Sequence, residues 1–374
     1  MTSSEQSTVK LHGREYRLPR RPTVVVCIDG FDPSYLEAGC DDGILPTMAS
    51  FVQTGFYATA KCAMPSVTNP NNLSIITGAP TKAHGISGNY YLDTVTGKEY
   101  MVLDDSLMRG STILEQMADR GIRVAAITAK DKLRKIINHG LSPSKGSICF
   151  SAQYAKDCTE AEHGIHDVEK WLGRPNPPQY SGELSLFVLY AGLQLLKEDR
   201  ADLFYLTLSD YIQHKYGPRS PESDKFLQEI DARLGDFVKL GAIVAVTGDH
   251  GMSDKSDDVG KPNVLYLQDV LHSKWPNSGA RVICPIADPF VRHHGALGGF
   301  VRVHLTKHSD ANVEQIVEYC RQLPQIEAAY TGADAAALFE MPPDREGDLV
   351  VIGKKNVAIG ACETEHDLSQ LQGF

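Results

Sequence analysis

The chain has 374 residues, 42% of them hydrophobic and 22% charged, with a formal net charge of −10. That is ordinary globular composition, with room for one large domain carrying an insertion or for two domains. The acidic balance argues against a nucleic-acid partner, and no apolar run reaches the length of a membrane span. Residues 1–22 are polar and basic without an apolar h-region, so no signal peptide is expected. The eight cysteines are scattered without a C-x-x-C pair, as expected of reduced thiols in a cytoplasmic protein.

In chain order, residues 1–20 read as a poorly ordered or edge-packed arm. Thr23 to Ile28 is a buried strand ending in Asp29-Gly30. A helix is expected to start with Asn69 as N-cap and Pro70 at the first position and to stop near Gly78, placing Thr68 at its positive end. Residues 111–120 and 131–138 read as helices around a strand at 122–128. Leu184 to Lys197 has helical apolar spacing, Leu203 to Leu208 is a strand, and Asp224 to Val238 is an amphipathic helix leading into strand 242–247. Five apolar residues in a row, Ala242 to Val246, predict that this last strand is buried on both faces. The alternation implies an α/β fold with a mostly parallel sheet and helices on both faces. Residues 255–345 read as a smaller α+β insertion over the sheet edge; 22–254 and 346–374, with a returning strand at Leu349–Ile352, form the core.

Three of these strands deliver a carboxylate at the carboxyl end, and two add an imidazole: Asp29, Asp210 with His214, and Asp249 with His250. Open α/β sheets place chemistry at that edge, and a convergence of Asp and His suits zinc or a similar divalent metal. Asp210 and His214 are four apart and would share one face of a helix. Thr68, a poor nucleophile by itself, would be activated by a metal and by the helix start. Lys130 and Lys132 are two apart and point the same way if extended. His293-His294 is read as part of the covering insertion, because adjacent extended residues point apart.

The run Met64-Pro65-Ser66-Val67-Thr68-Asn69-Pro70-Asn71, then Thr77-Gly78-Ala79-Pro80 and His84-Gly85-Ile86, resembles the nucleophile region of the alkaline phosphatase superfamily. Asp29, Asp210-x-x-x-His214 and Asp249-His250-Gly251 match that superfamily's metal ligands in order and approximate spacing. The branch it resembles holds the nucleotide pyrophosphatase/phosphodiesterases and the phosphonoacetate hydrolases. Thr128 to Arg134, Gly88-Asn89-Tyr90 and Pro289 to Gly298 are similar to the latter. The resemblance covers about residues 22–374.

It implies an alkaline-phosphatase-like fold and two zinc ions. Asp29, Thr68, Asp249 and His250 would hold one; Asp210, His214 and a late histidine would hold the other. Asn89, Lys130 and Lys132 would line the pocket of a small anionic substrate, phosphonoacetate, cleaved at its C–P bond through a phosphothreonine on Thr68. No nucleic-acid or membrane partner is implied, and a homodimer is compatible with the sequence. The pattern's closing His-Gly is absent: His366 is the late candidate, with Asp367 after it, and otherwise the natural chain continues. A nucleotide phosphodiesterase of the same superfamily is the alternative; it would favour base-stacking aromatics and need no paired lysines. A sulfatase is disfavoured by Cys62-Ala63-Met64-Pro65-Ser66, and a metal-free scaffold by six polar groups gathered at a costly site.

Overall fold

A computed structural model describes residues 7–287, 297–305, 312–366 and 368. His293 and His294 and most of the run from Pro289 to Gly298 lie outside the described residues.

The apolar runs form a five-stranded parallel sheet in the order Ile148–Ser151, Val124–Thr128, Leu203–Thr207, Thr23–Cys27, Ile243–Thr247. Side-chain alternation along these strands divides the core in two. Val24, Val26, Ala125, Ile127, Phe204 and Leu206 pack on one face with the helices Glu183–Lys197 and Pro221–Lys239. Cys27, Val124, Ala126, Leu203 and Tyr205 pack on the other with Thr68–Thr77, Ile113–Ala118 and Asp131–Ile137. Helices therefore cover both faces, as the alternating pattern requires.

The strand ends are level. Cys27 pairs with both Thr207 and Thr247, Thr128 with Thr207 and with Ser151. One line of five residues thus marks where every strand hands over to its loop.

The strand Ile243–Thr247 is not buried on both faces. It is the sheet's edge, hydrogen-bonded to Thr23–Cys27 on one side, and Ile243 is 47% exposed. Val244 and Val246 pack on the core while Ile243 and Ala245 face outward, so an uninterrupted apolar run here marks one covered face, not two.

A second sheet is antiparallel, in the order Arg281–Ile283, Phe300–His304, Leu349–Gly353, Ile326–Thr331. Leu349–Gly353 therefore joins the sheet of the insertion and not the central one, pairing with Phe300–His304 and Ile326–Thr331. Its leucine and valines read alike in either setting, so only pairing decides. Val264–Tyr266 pairs in parallel with Ala358–Gly360 beside it. The amino-terminal arm, from Thr8, is a hairpin of Thr8–Leu11 and Arg14–Arg17 that buries Val9.

Candidate active site

Because the strands end level, residues at a fixed offset past them meet in space. Asp29, Lys130, Gln153 and Asp249 each stand two residues beyond Cys27, Thr128, Ser151 and Thr247, and Asp210 three beyond Thr207. The sheet itself sets the spacing of the site. A cavity of about 820 Å³ opens there, lined among others by Asp29, Thr68, Asn89, Lys130, Lys132, Asp210, His214 and His250.

The helix carrying Thr68 runs Thr68–Thr77, with extended Val67 as its N-cap and Gly78 closing it in the left-handed region at φ 62°. It starts ahead of the expected Asn69–Pro70 boundary, and Thr68 is its first residue. No N-cap side chain bonds the helix start. Instead Asn71 holds the entering loop: its Nδ2 donates to Pro65 O at 3.2 Å and Val67 O at 3.0 Å, and its Oδ1 accepts from Ala63 N at 2.8 Å. This fixes Thr68 at a helix start where Pro70 has no N–H and Asn71 N already bonds Val67 O, so the N–H groups of Thr68 and Asn69 are the ones turned to the opening. Thr68 Oγ1 lies 3.5 Å from His250 Nε2.

Asp249 is held at both oxygens. Oδ1 accepts from Gly30 N at 3.1 Å and His250 N at 2.9 Å; Oδ2 accepts from Asn72 Nδ2 at 3.0 Å. Gly30 turns the chain at φ 69°, which presents its N–H to that carboxylate. Asn72 is fully buried and also donates to Thr68 O at 3.0 Å, while its Oδ1 accepts from Tyr205 OH at 2.7 Å. The tyrosine hydroxyl thereby fixes the amide so that its donor faces Asp249. Asn72 and Tyr205 are absent from the sequence-based site. The available signals are an asparagine four residues past Thr68 on the same helix and a tyrosine hydroxyl inside a buried strand.

Asp210 and His214 also meet, His214 Nε2 lying 2.9 Å from Asp210 Oδ2. They sit on a single turn and not on a helix: residues 211–215 are turn, and His214 N donates to Asp210 O at 3.0 Å. The i,i+4 proximity survives because one turn suffices for it. Lys130 Nζ donates to Asp210 Oδ1 at 3.2 Å. Lys130 is extended at φ −108° and ψ 139°, but Lys132 is already inside the helix Asp131–Ile137, so the two do not share an extended segment; both still line the cavity. The turn between them is anchored by Asp131, whose Oδ1 accepts from Arg134 Nε and Ser151 Oγ, each at 3.0 Å. Asn89 is buried and lines the same cavity, and its Oδ1 has no hydrogen-bond partner among the described residues.

Ligand atoms of Asp29, Asp210 and His250 lie within 4.8 Å of one another. Burial first, then the charges of Asp210 and Asp249, push the Asp29 carboxyl up to about 7. Burial likewise raises Asp249. Burial opposes a charge on His250, but Asp249 and Asp29 overcome it and raise the imidazole well above its usual range. Like charges gathered out of water are relieved by taking up a proton or by a bound cation. Asp29 Oδ1 is buried 3.1 Å from His250 Nε2, yet makes no hydrogen bond of acceptable geometry. His250 Nδ1 donates to Gly251 O at 3.0 Å, which leaves Nε2 turned toward Asp29 and Thr68. Two atoms close without bonding, one of them with its tautomer fixed by a carbonyl, fit a shared divalent ion. The residues present therefore fit a metal.

His366 does not join this cluster. Its Nε2 accepts from Ala361 N at 3.0 Å, its ring stacks on Tyr266 with centroids 6.1 Å apart, and it is not among the residues lining the cavity.

Residues 23–373 match the family model described as type I phosphodiesterase / nucleotide pyrophosphatase. A crystal structure of phosphonoacetate hydrolase from Sinorhizobium meliloti in complex with phosphonoformate is 42% identical, covers 98% of this chain and 88% of that one, and has a TM-score of 0.94. A complex of the same enzyme with phosphonoacetate gives 42% identity, a TM-score of 0.92, and coverage of 96% and 87%. An uncharacterised pyrophosphatase/phosphodiesterase of Schizosaccharomyces pombe is 25% identical over 78% of this chain and 57% of its own length. A bis(5'-adenosyl)-triphosphatase of Mus musculus is 27% identical over 62% of this chain and 47% of its own. The chain spans about half the length of these curated relatives. No helix among the described residues is long and apolar enough to cross a membrane. The fold is alkaline-phosphatase-like, and the chain belongs to the type I phosphodiesterase/nucleotide pyrophosphatase family.

Proposed function

We propose that the chain hydrolyses phosphonoacetate to acetate and phosphate. The observation that carries this is the pairing of a threonine beside a metal-type cluster with two lysines and Asn89 on one cavity, in a chain 42% identical to a phosphonoacetate hydrolase over 98% of its length. A nucleotide phosphodiesterase shares the cluster but has no use for the lysines.

Asp29, Thr68, Asp249 and His250 would hold one zinc, and Asp210 and His214 would take part in holding a second. Bound divalent ions would neutralise phosphoryl oxygens and lower the pKa of the threonine hydroxyl and of water. Thr68 Oγ1 attacks phosphorus, and the C–P bond breaks with its electron pair moving to carbon. The resulting charge delocalises into the neighbouring carboxylate, where Lys130 and Lys132 bind it more strongly as it grows. Carbon takes a proton, balancing the one that Thr68 Oγ1 loses as it attacks, and leaves as acetate. Water then hydrolyses the phosphothreonine to free phosphate and Thr68.

Asn89, positioned through backbone bonds from its N–H to Pro285 O and from Val102 N to its carbonyl, supports a phosphoryl or carboxylate oxygen. A reducing, cytoplasmic setting is supported by eight free thiols, five of them buried. A phosphate-release assay on purified protein tests the function, with phosphonoacetate, 2-aminoethylphosphonate and a nitrophenyl nucleotide ester side by side. Release from phosphonoacetate is expected to dominate; release from the nucleotide ester alone would overturn the assignment in favour of the phosphodiesterase.

A further inference from the structure

We propose that the side of the cavity built by the loop after His250 and by the second sheet carries a further oxyanion subsite, centred on the Lys255 ammonium. Lys255 lines the same cavity as Thr68 and Lys130 but comes from the opposite end of the fold's construction, five residues beyond His250. Its Nζ donates to the carbonyl of Lys355 at 2.7 Å. Ser253 Oγ donates to that same oxygen at 2.9 Å, so the turn is already pinned by a neutral group. A second, charged donor is more than the pin requires.

No carboxylate forms an ion pair with Lys255 among the described residues. The cavity's carboxylates are engaged elsewhere: Asp32 with Ser34, Asp131 with Arg134 and Ser151, Asp29 and Asp210 in the cluster. Lys355 also lines the cavity, and its charge acts on Lys255. Burial, and the repulsion of Lys355 against the pull of Glu327, hold the Lys255 ammonium below the usual lysine range. Gly298, Gly299 and Gly353 line the same wall and offer no side chain to shield it; a Cβ on Gly299 would lie 3.6 Å from Lys255 Nζ. An ammonium has three donors and one is used. A half-buried cation facing an open cavity with donors to spare, next to another of like sign, is completed by an anion.

The chemistry is that of a carboxylate or phosphate. Its identity rests on the proposed function: either a second carboxylate on a phosphonate longer than phosphonoacetate, or the phosphate product on its way out. Holoenzyme of the wild type, Lys255→Met and Lys255→Arg separates them. Calorimetric titration with inorganic phosphate reads product binding, and steady-state kinetics with phosphonoacetate and phosphonosuccinate read the second carboxylate.

Lys255→Met is expected to weaken the second phosphate equivalent about tenfold, or to raise KM for phosphonosuccinate about tenfold relative to that for phosphonoacetate, with Lys255→Arg largely restoring it. A shift in the phosphate arm alone assigns an exit site, and in the phosphonosuccinate arm alone a substrate subsite. No shift in either arm, at unchanged thermal midpoint, overturns the subsite. Lys255→Gln replaces Lys255→Met if the latter does not fold. Because the phosphate titration needs no turnover, a wild type that binds two phosphates without cleaving any phosphonate would defeat the function and leave the subsite standing.

Discussion

The two Asp–His pairs of the site are built differently. Asp249 has both oxygens occupied by protein donors, and its neighbour His250 is oriented by a carbonyl. Asp210 and His214 bond to each other, and Asp210 accepts from Lys130, on a one-turn segment. The first pair is preorganised by the sheet and by the helix of Thr68. The second stands on a one-turn segment, with His214 Nε2 2.9 Å from Asp210 Oδ2. Thr68 stands beside the first pair, its Oγ1 3.5 Å from His250 Nε2.

The largest effect expected on that contrast comes from Thr68. Thr68→Ala deletes the nucleophile and is expected to lower turnover on phosphonoacetate by at least about a thousandfold. The metal content of the Asp210–His214 side should stay as in the wild type, since the change lies on the other side. Rapid-quench and metal analysis check both; near wild-type turnover would end the covalent mechanism.

Lys130 and Lys132 come next. Either lysine changed to Met should cost about a hundredfold on phosphonoacetate and far less on a nitrophenyl ester, whose leaving group carries no carboxylate. Lys130→Met should also alter metal retention, because Lys130 Nζ donates to Asp210 Oδ1. Equal losses on both substrates would return the lysines to a structural role.

Tyr205→Phe sharpens the contrast from below. It frees the Asn72 amide to turn its oxygen toward Asp249, and is expected to weaken metal affinity at the first pair by about 10–100-fold. Competition with a chromogenic chelator measures this. The same assay on the wild type should release metal in two phases, the Asp210–His214 side first; a single phase would mean that the pairs are equally held.

The smallest effect concerns the support of the Thr68 helix. His84 is fully buried, with Nε2 3.0 Å from Ser74 Oγ on that helix and Nδ1 accepting from Ile86 N. Burial first, then His12, push its pKa down from 6.5 to about 3. The unfolded chain therefore takes up a proton below pH 6.5 that the folded chain refuses until about pH 3. Stability from this group is complete above 6.5 and is lost as pH falls through that window, by up to about 1.4 kcal/mol per pH unit. Urea midpoints of wild type and His84→Gln across the window should converge toward acid pH; parallel curves would refute it.

Much of this was legible in the sequence because its signals are local. A buried run that breaks into Asp-Gly or Asp-His announces a strand end with chemistry on it, and Asp29, Asp210, His214, Asp249 and His250 do converge. What stayed hidden depends on pairing. Nothing in Ile243–Thr247 says that it has one neighbour, and nothing in Leu349–Gly353 says which sheet it joins. Lys132 and the start of the Thr68 helix are matters of a residue or two at helix boundaries, where local preferences nearly balance. Asn72 and Tyr205 act across 133 positions of chain, and such a bond is written in neither segment alone.

The level strand ends have a consequence for how such a site can be rewritten. Asp29, Lys130, Gln153 and Asp249 occupy equivalent rungs past their strands, so the sheet behaves as a rack with interchangeable pegs. Gln153 lines the cavity and its Oε1 accepts from Asp131 N at 2.9 Å, so a replacement there puts a new group on the cavity and also releases the turn between Lys130 and Lys132. A slip of one residue in any strand would instead turn that peg to the opposite side of the sheet.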